Sequence, residues 1–150
     1  MRKLPQFSLT EQVSSAIVEQ LKLQVENELA VEYYPEKPDS YRLNHANGAL
    51  LVSYGQSSYP KHDDTFAVLR PRVATFSITI VSRQLYSRYG AVPLVDWVLA
   101  MLSGFTPPHC TKPLAPIKDG FDSQVAGLWL YNVEFSTEYM LVQSLTPSEI

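Results

Sequence analysis

The sequence lacks most of the features that would define its chemistry directly. It has one cysteine, Cys110, so it cannot form an intrachain disulfide, and a reducing compartment fits this composition. Its six glycines are scattered, and neither phosphate-binding pattern, G-x-G-x-x-G or G-x-x-x-x-G-K, occurs. The metalloprotease pattern H-E-x-x-H and the hydrolase pattern G-x-S-x-G are missing too. No sequence motif therefore requires an enzyme or a cofactor.

Charge and hydropathy exclude two classes of partner. Twelve basic residues against fifteen acidic ones give a net charge of −3, which is not the basic footprint of a nonspecific nucleic-acid binder. The longest apolar stretch, residues 91–102, contains Pro93 and Asp96 and is shorter than the roughly 20 residues that cross a bilayer. No apolar signal-peptide core follows the basic N-terminus. We expect a cytoplasmic protein with neither a membrane nor a sequence-specific nucleic-acid partner.

The length and composition indicate a single domain over residues 1–150, since 45% of the residues are hydrophobic. Residues 55–72 form the longest polar section. We expect this section to be an excursion, with the character of a hairpin, that lies away from the main core. The C-terminus over residues 145–150 is expected to fray.

Two helices are predicted. Ser8 and Glu11 have the spacing of a capping box, and the apolar residues Val13, Ile17 and Leu21 recur at four-residue steps, so an amphipathic helix is expected over residues 9–24. A second helix starts around Pro93 and ends before Gly104, and it is apolar over most of its surface. Such a helix is either largely buried or has one side in a subunit contact.

Four strands are predicted, over residues 29–34, 49–54, 73–83 and 127–135. The third is the clearest, because Phe76, Ile78 and Ile80 alternate with polar side chains. Residues 106–123 are proline-rich and are expected to be irregular. This order of elements predicts an α+β fold with two layers, in which a mostly antiparallel sheet carries two main helices on one face.

The residues that could carry chemistry favour structural roles. A zinc site needs three or four ligands, whereas Cys110 is the only cysteine and His45 and His62 lie in unrelated polar loops. His62, Asp63 and Asp64 could hold a divalent cation, but a solvated loop tip is the favoured interpretation. We therefore expect no catalytic, cofactor-binding or metal-binding residues. A thiol nucleophile at Cys110 with one of the histidines stays open as an alternative.

Tyrosines and arginines supply the candidate interface. The chain has nine tyrosines against six phenylalanines, and tyrosine suits contact surfaces because it joins an apolar ring to a polar hydroxyl. Arginines cluster around the predicted central strand, where inter-subunit ion pairs or a charged lumen lining are at least as plausible as nucleic-acid contact. The residues predicted to form an assembly interface are Tyr59, Arg70, Arg72, Tyr86 and Arg88.

Five stretches, taken in order, resemble a known family. They read YPE, NHANGALLVSY, FSITIVSR, LSGF and GLWLY, at residues 34–36, 44–54, 76–83, 102–105 and 127–131. Together they are similar to a small phage and prophage protein family of Mu-like tail gene clusters, which itself resembles the tail terminators of long-tailed phages. The likeness runs from about Val13 to Phe135, and its motifs are turn and fold signatures.

The resemblance implies an α+β subunit that forms a hexameric ring on the last ring of the tail tube. Such a ring caps tube growth, offers a surface to head-completion proteins and becomes part of the virion. It implies neither enzymatic activity nor a cofactor, and it assigns no individual site residue. The alternatives are another head–tail connector or baseplate component of the same fold, or a small thiol-dependent hydrolase that uses Cys110.

Overall fold

The computed structural model describes residues 8–61 and 69–142. Two α-helices and five strands follow one another as α1 (Leu9–Val25), β1 (Ala30–Tyr33), β2 (Ala49–Ser58), β3 (Leu69–Ser82), α2 (Ala91–Leu102), β4 (Cys110–Val125) and β5 (Leu128–Val142). The strands form one sheet in the order β1-β2-β3-β5-β4. β1 is parallel to β2, and the other neighbours are antiparallel. The predicted α+β class is confirmed.

The first helix forms for the reasons its sequence suggests. The Ser8 side chain accepts a hydrogen bond from the backbone N–H of Glu11 at 3.2 Å, which caps the helix start. Val13, Ile17 and Leu21 are buried against the sheet. This single apolar face fixes how α1 lies on the sheet.

Both helices pack on the same face of the sheet, as predicted. α2 buries Leu94, Val98 and Leu102 in the core that α1 also enters. The sheet contributes the alternating residues of its central strands to this core, namely Leu50, Val52, Ala74, Phe76, Ile78, Ile80, Val133 and Phe135. The prediction of a mostly apolar α2 is confirmed, but its burial is incomplete, because 59% of Trp97 is exposed.

The described parts of the polar section, residues 55–61 and 69–72, are continuous with the sheet. β2 extends to Ser58 and β3 begins at Leu69, and Ser58 pairs with Val73 beyond a register shift between Tyr54 and Gln56. The described part of the excursion is therefore the far end of a β2–β3 hairpin. His62, Asp63 and Asp64, and the C-terminal residues 145–150, lie outside the described residues.

The prediction that residues 106–123 are irregular is wrong, because all of this region from Cys110 onward belongs to the 16-residue strand β4. It pairs with β5 through four register shifts and buries only Leu114 completely. An edge strand tolerates prolines whose missing N–H faces away from its partner, and Pro113 and Pro116 lie in this strand. β4 buries almost none of its side chains in the core. Its sequence therefore lacks the alternation of apolar and polar residues that predicts a strand.

A smaller apolar cluster lies on the sheet face away from the helices. Ala49, Leu51 and Val81 are buried there beneath Tyr41 and Leu43, which belong to the β1–β2 connection. The Arg83 guanidinium donates hydrogen bonds to the backbone carbonyls of Leu43, His45 and Ala46 at 2.8–3.2 Å. These bonds hold the connection against one end of the sheet.

Candidate assembly interface

The five predicted interface residues fall into two groups at opposite ends of the central strand. Arg70 and Arg72 lie at the start of β3, with Tyr59 just after β2, whereas Tyr86 and Arg88 lie between the end of β3 and α2. β3 is 14 residues long, which corresponds to about 45 Å of extended chain. A single partner surface would have to span the subunit to contact both groups.

Arg72 is held inside a cluster of aromatic and hydroxyl side chains. Its guanidinium carbon lies 5.8 Å from the Tyr54 ring centre and 5.2 Å from that of Tyr139. Its Nε donates to Ser57 Oγ at 3.0 Å, and a terminal nitrogen donates to the Tyr54 hydroxyl at 3.3 Å. Hydrogen bonds lower the pKa of the Tyr54 hydroxyl, and the bond with Ser57 has a larger effect than the bond with Arg72. Arg72 therefore holds the two strands together at the far end of the β2–β3 hairpin.

The rest of the hairpin end is more accessible. Tyr59 is 46% exposed, and Arg70 is partly buried. Aromatic and arginine side chains supply much of the binding energy in protein interfaces. In this group, Tyr59 is the residue best placed to contact a partner.

In the second group, Arg88 is paired with Glu28, which lies just after α1. A terminal nitrogen of Arg88 and the Tyr89 hydroxyl both donate to Glu28 Oε1, at 2.9 and 2.8 Å. The hydrogen bond to Glu28 raises the pKa of Tyr89. The Arg88–Glu28 pair is solvent-exposed on both sides, so it adds little to stability. Tyr86, the other member of this group, is 68% exposed.

A largely apolar cavity adjoins the second group. The sequence analysis did not predict it. A cavity of about 170 Å³ lies between the two helices, with Leu94, Trp97 and Met101 among its apolar lining and Glu28 and Arg88 among its polar lining. Trp97 projects from a helix whose other side is buried. No sequence signal separated Trp97 from the other apolar residues of α2, because that helix is apolar over most of its surface.

Solvent-exposed apolar side chains of β4 form a third surface. The sequence analysis did not predict this surface either. Ile117, Phe121 and Val125 are each more than half exposed. The Phe121 ring packs edge-on against Trp129 and Tyr131 of β5, with centroid distances of 6.2 and 5.7 Å. Because this segment was predicted to be an irregular loop, Phe121 was not identified as part of a surface.

The side chains considered for catalysis are not assembled into a site in the described part of the chain. Burial raises the pKa of the Cys110 thiol, and a hydrogen bond with Thr137 opposes this only in part. Of the described side chains, no imidazole contributes to that shift. Both His45 ring nitrogens contact backbone, at the Asn27 carbonyl and the Asn47 N–H. A thiol with a raised pKa is a poor nucleophile at neutral pH.

Residues 8–61 and 69–142 offer neither a grouped set of metal ligands nor a helical membrane span. No group of three or more histidine, cysteine, aspartate or glutamate side chains there is arranged to hold a metal ion. No helix in those ranges is long and apolar enough to cross a bilayer. The surfaces that stand out in the described chain are those built from aromatic, apolar and arginine side chains.

Comparisons with known proteins agree with this picture of the fold. The sequence profile of a family described as Gp37 protein matches residues 17–149. A chain in a solved structure described as the virion of a native gene transfer agent particle aligns with 91% of this chain and 100% of its own length. Its TM-score is 0.61 at 13% sequence identity, which shows a shared fold. No curated protein matches the sequence.

Proposed function

Since the chain belongs to the Gp37 protein family, we propose that it is a phage-derived structural subunit that acts as a tail terminator. In this role it caps the tail tube as a hexameric ring and joins the tube to head-completion proteins. The observation that carries the proposal is the fold shared over the whole length of a chain from a phage-like particle. The sequence resemblance to tail terminators points the same way.

The surface chemistry supports a binding role. The described surface exposes aromatic side chains at both ends of β3, on α2 and along β4, including Tyr59, Tyr86, Trp97 and Phe121. Aromatic side chains are enriched in protein–protein interfaces. The raised pKa of Cys110 favours this reading over a thiol-dependent hydrolase. We infer that the protein is not an enzyme and that it uses no cofactor.

A ring also accounts for the spread of these surfaces. A head-to-tail contact joins two different patches of one subunit, so it requires surfaces on two sides, and a further surface must meet the tube. The separate groups at the two ends of the described subunit and the β4 edge satisfy that requirement. One contiguous patch would serve a simple dimer better.

The test is deletion of the gene from the parent phage or prophage, followed by electron microscopy of the particles. Over-long or headless tails support a terminator. Normal virions with tails of normal length contradict it. Immunogold labelling of the complemented strain locates the subunit, and a label at the baseplate or in the head would assign the protein to another virion component of the same fold.

A further inference from the structure

Within residues 8–61 and 69–142, the sheet ends at two strands that each have one open edge, β1 and β4. The backbone N–H groups of Ala30 and Tyr34 bond to Gly48 and Val52 on the β2 side. Because alternate residues of a strand direct their backbone groups to opposite sides, Val31 and Tyr33 present theirs outward. Tyr33 also exposes 53% of its surface.

The open edge of β4 is less protected over its second half than over its first. Between Cys110 and Lys118 it carries two lysines, two prolines and three register shifts, and such features discourage pairing with another strand. Residues 119–125 contain neither lysine nor proline and have one register shift, between Phe121 and Ser123. In this second half Phe121 and Val125 are each 58% exposed. An open strand edge flanked by exposed apolar side chains can pair with another strand.

We propose that residues 119–125 of β4 pair with β1 of a second copy of this chain, so that the sheet continues from one subunit to the next. This inference rests on the proposed function, because it supplies the contact between neighbours in the ring. It joins two different surfaces of the same molecule, as a closed ring requires.

Strand direction fits this arrangement. β1 is parallel to β2, and three successive antiparallel pairings then lead through β3 and β5 to β4, so β4 runs opposite to β1. In a ring whose axis runs along the strands, every copy keeps the same orientation. β4 of one subunit therefore meets β1 of the next in antiparallel fashion, which is the more stable kind of pairing.

The side chains of the two edges support the pairing of β1 with β4. β1 offers the exposed aromatic ring of Tyr33 to the exposed ring of Phe121, and cross-strand aromatic pairs stabilise sheets.

The test is disulfide trapping in the full-length chain with Cys110→Ser. Tyr33→Cys is combined in turn with Asp119→Cys, Gly120→Cys and Phe121→Cys, which covers the neighbouring registers. We expect at least one pair to give, on mild oxidation, a ladder of reducible species beyond the dimer on denaturing gels. Single-cysteine variants can link only two chains, and Tyr33→Cys with Leu23→Cys, at a 73% exposed helix position, is the matched control.

Two results would overturn the inference. If all three pairs give no species beyond the dimer, β1 and β4 do not meet. If the β4 single-cysteine variants alone form dimers as efficiently as the pairs, β4 pairs with itself. A ring seen by microscopy without any trapped ladder would contradict the edge pairing and leave the terminator role standing, whereas normal virions after gene deletion would contradict that role.

Discussion

The guanidinium carbon of Arg72 lies 5.2 Å from the centre of the Tyr139 ring, and the Tyr139 hydroxyl lies 2.7 Å from Thr10 Oγ1. These contacts join the hairpin end of β3, the end of β5 and the first turn of α1. Tyr139 is almost completely buried. The hairpin end, where three of the predicted interface residues lie, is therefore tied to the core through one tyrosine.

Replacing Arg72 with methionine should destabilise the fold by about 1 kcal/mol, because it removes two hydrogen bonds and two cation–π contacts while keeping much of the apolar volume. For a chain of this size that corresponds to a fall of about 3 °C in Tm. Thermal unfolding monitored by circular dichroism measures it. Arg42→Met is the control, because Arg42 is exposed and bonds to the Tyr41 carbonyl; an equal loss in both variants would contradict the role given to Arg72.

Stability should fall at alkaline pH, and Tyr139 should account for part of the fall. Burial raises its pKa in the folded state, although hydrogen bonding to Thr10 and the nearby Arg72 oppose the shift. As the pH rises past the usual tyrosine pKa of about 10, the unfolded state loses its proton first, and the folded state is progressively disfavoured until the folded pKa is passed. Urea unfolding at pH 8 and pH 11, in a Cys110→Ser background, measures the change.

Tyr139→Phe is the matched variant for the alkaline effect. It loses the hydrogen bond to Thr10, which costs about 1 kcal/mol at pH 8, but it has no proton to lose. The difference in unfolding free energy between pH 8 and pH 11 should therefore be smaller in Tyr139→Phe than in the parent. An identical difference in both proteins would show that Tyr139 does not titrate in this way.

Cys110 should alkylate slowly. Because its pKa is raised, a smaller fraction of the thiol is ionised at pH 8 than in a free cysteine, and only the thiolate reacts with iodoacetamide. Mass spectrometry should show a lower rate for the folded protein than for glutathione, and a normal rate after unfolding in guanidinium chloride. A rate above that of glutathione would indicate an activated thiol and would revive the hydrolase alternative.

Gly90 should not tolerate alanine. A Cβ at this position would clash with the carbonyl oxygen of Tyr86 and approach that of Leu85 to 2.6 Å, at the start of α2. We expect a loss of about 2 kcal/mol in unfolding free energy, since backbone atoms must move. Gly120→Ala, where no atom lies within 4 Å of the added Cβ, is the control and should be neutral or slightly stabilising. Denaturant titration compares the two.

Tyr86 tests the second group of predicted interface residues. Tyr86→Ser should leave Tm unchanged within about 1 °C, because the side chain is 68% exposed and surface substitutions rarely exceed 0.5 kcal/mol. Its incorporation into purified particles should nevertheless fall, as quantified by immunoblotting against a major tail protein. The exposed control Leu23→Ser should assemble normally, and equal incorporation of both variants would remove Tyr86 from the interface.

Local signals in the sequence predicted most of the secondary structure. The cap at Ser8 and the spacing of Val13, Ile17 and Leu21 give α1 within a residue of its observed end. The alternation around Phe76 gives the middle of β3 and its buried face. In each case the residues whose spacing predicts the element are also the residues that are buried in the core. The local sequence pattern and the tertiary packing therefore favour the same structure.

The rest depends on contacts between distant parts of the chain. β4 exists because β5 supplies hydrogen-bond partners, and its own side chains bury little, so its sequence resembles a loop. The same applies to the candidate surfaces. Arg72 meets Tyr139 only after β3 and β5 pair, and Trp97 is distinguished from the other apolar residues of α2 only once the buried side of that helix is known.

The pairing of β3 with β5 has a mechanical consequence. Their register runs without a shift from Leu69 to Ser82, and the hydrogen bonds between antiparallel strands lie across the strand axis. A force that pulls β3 lengthwise against β5 therefore loads all of these bonds at once, whereas a force that lifts β4 sideways breaks its bonds one after another. The subunit should resist tension along its strands far better than peeling at its β4 margin.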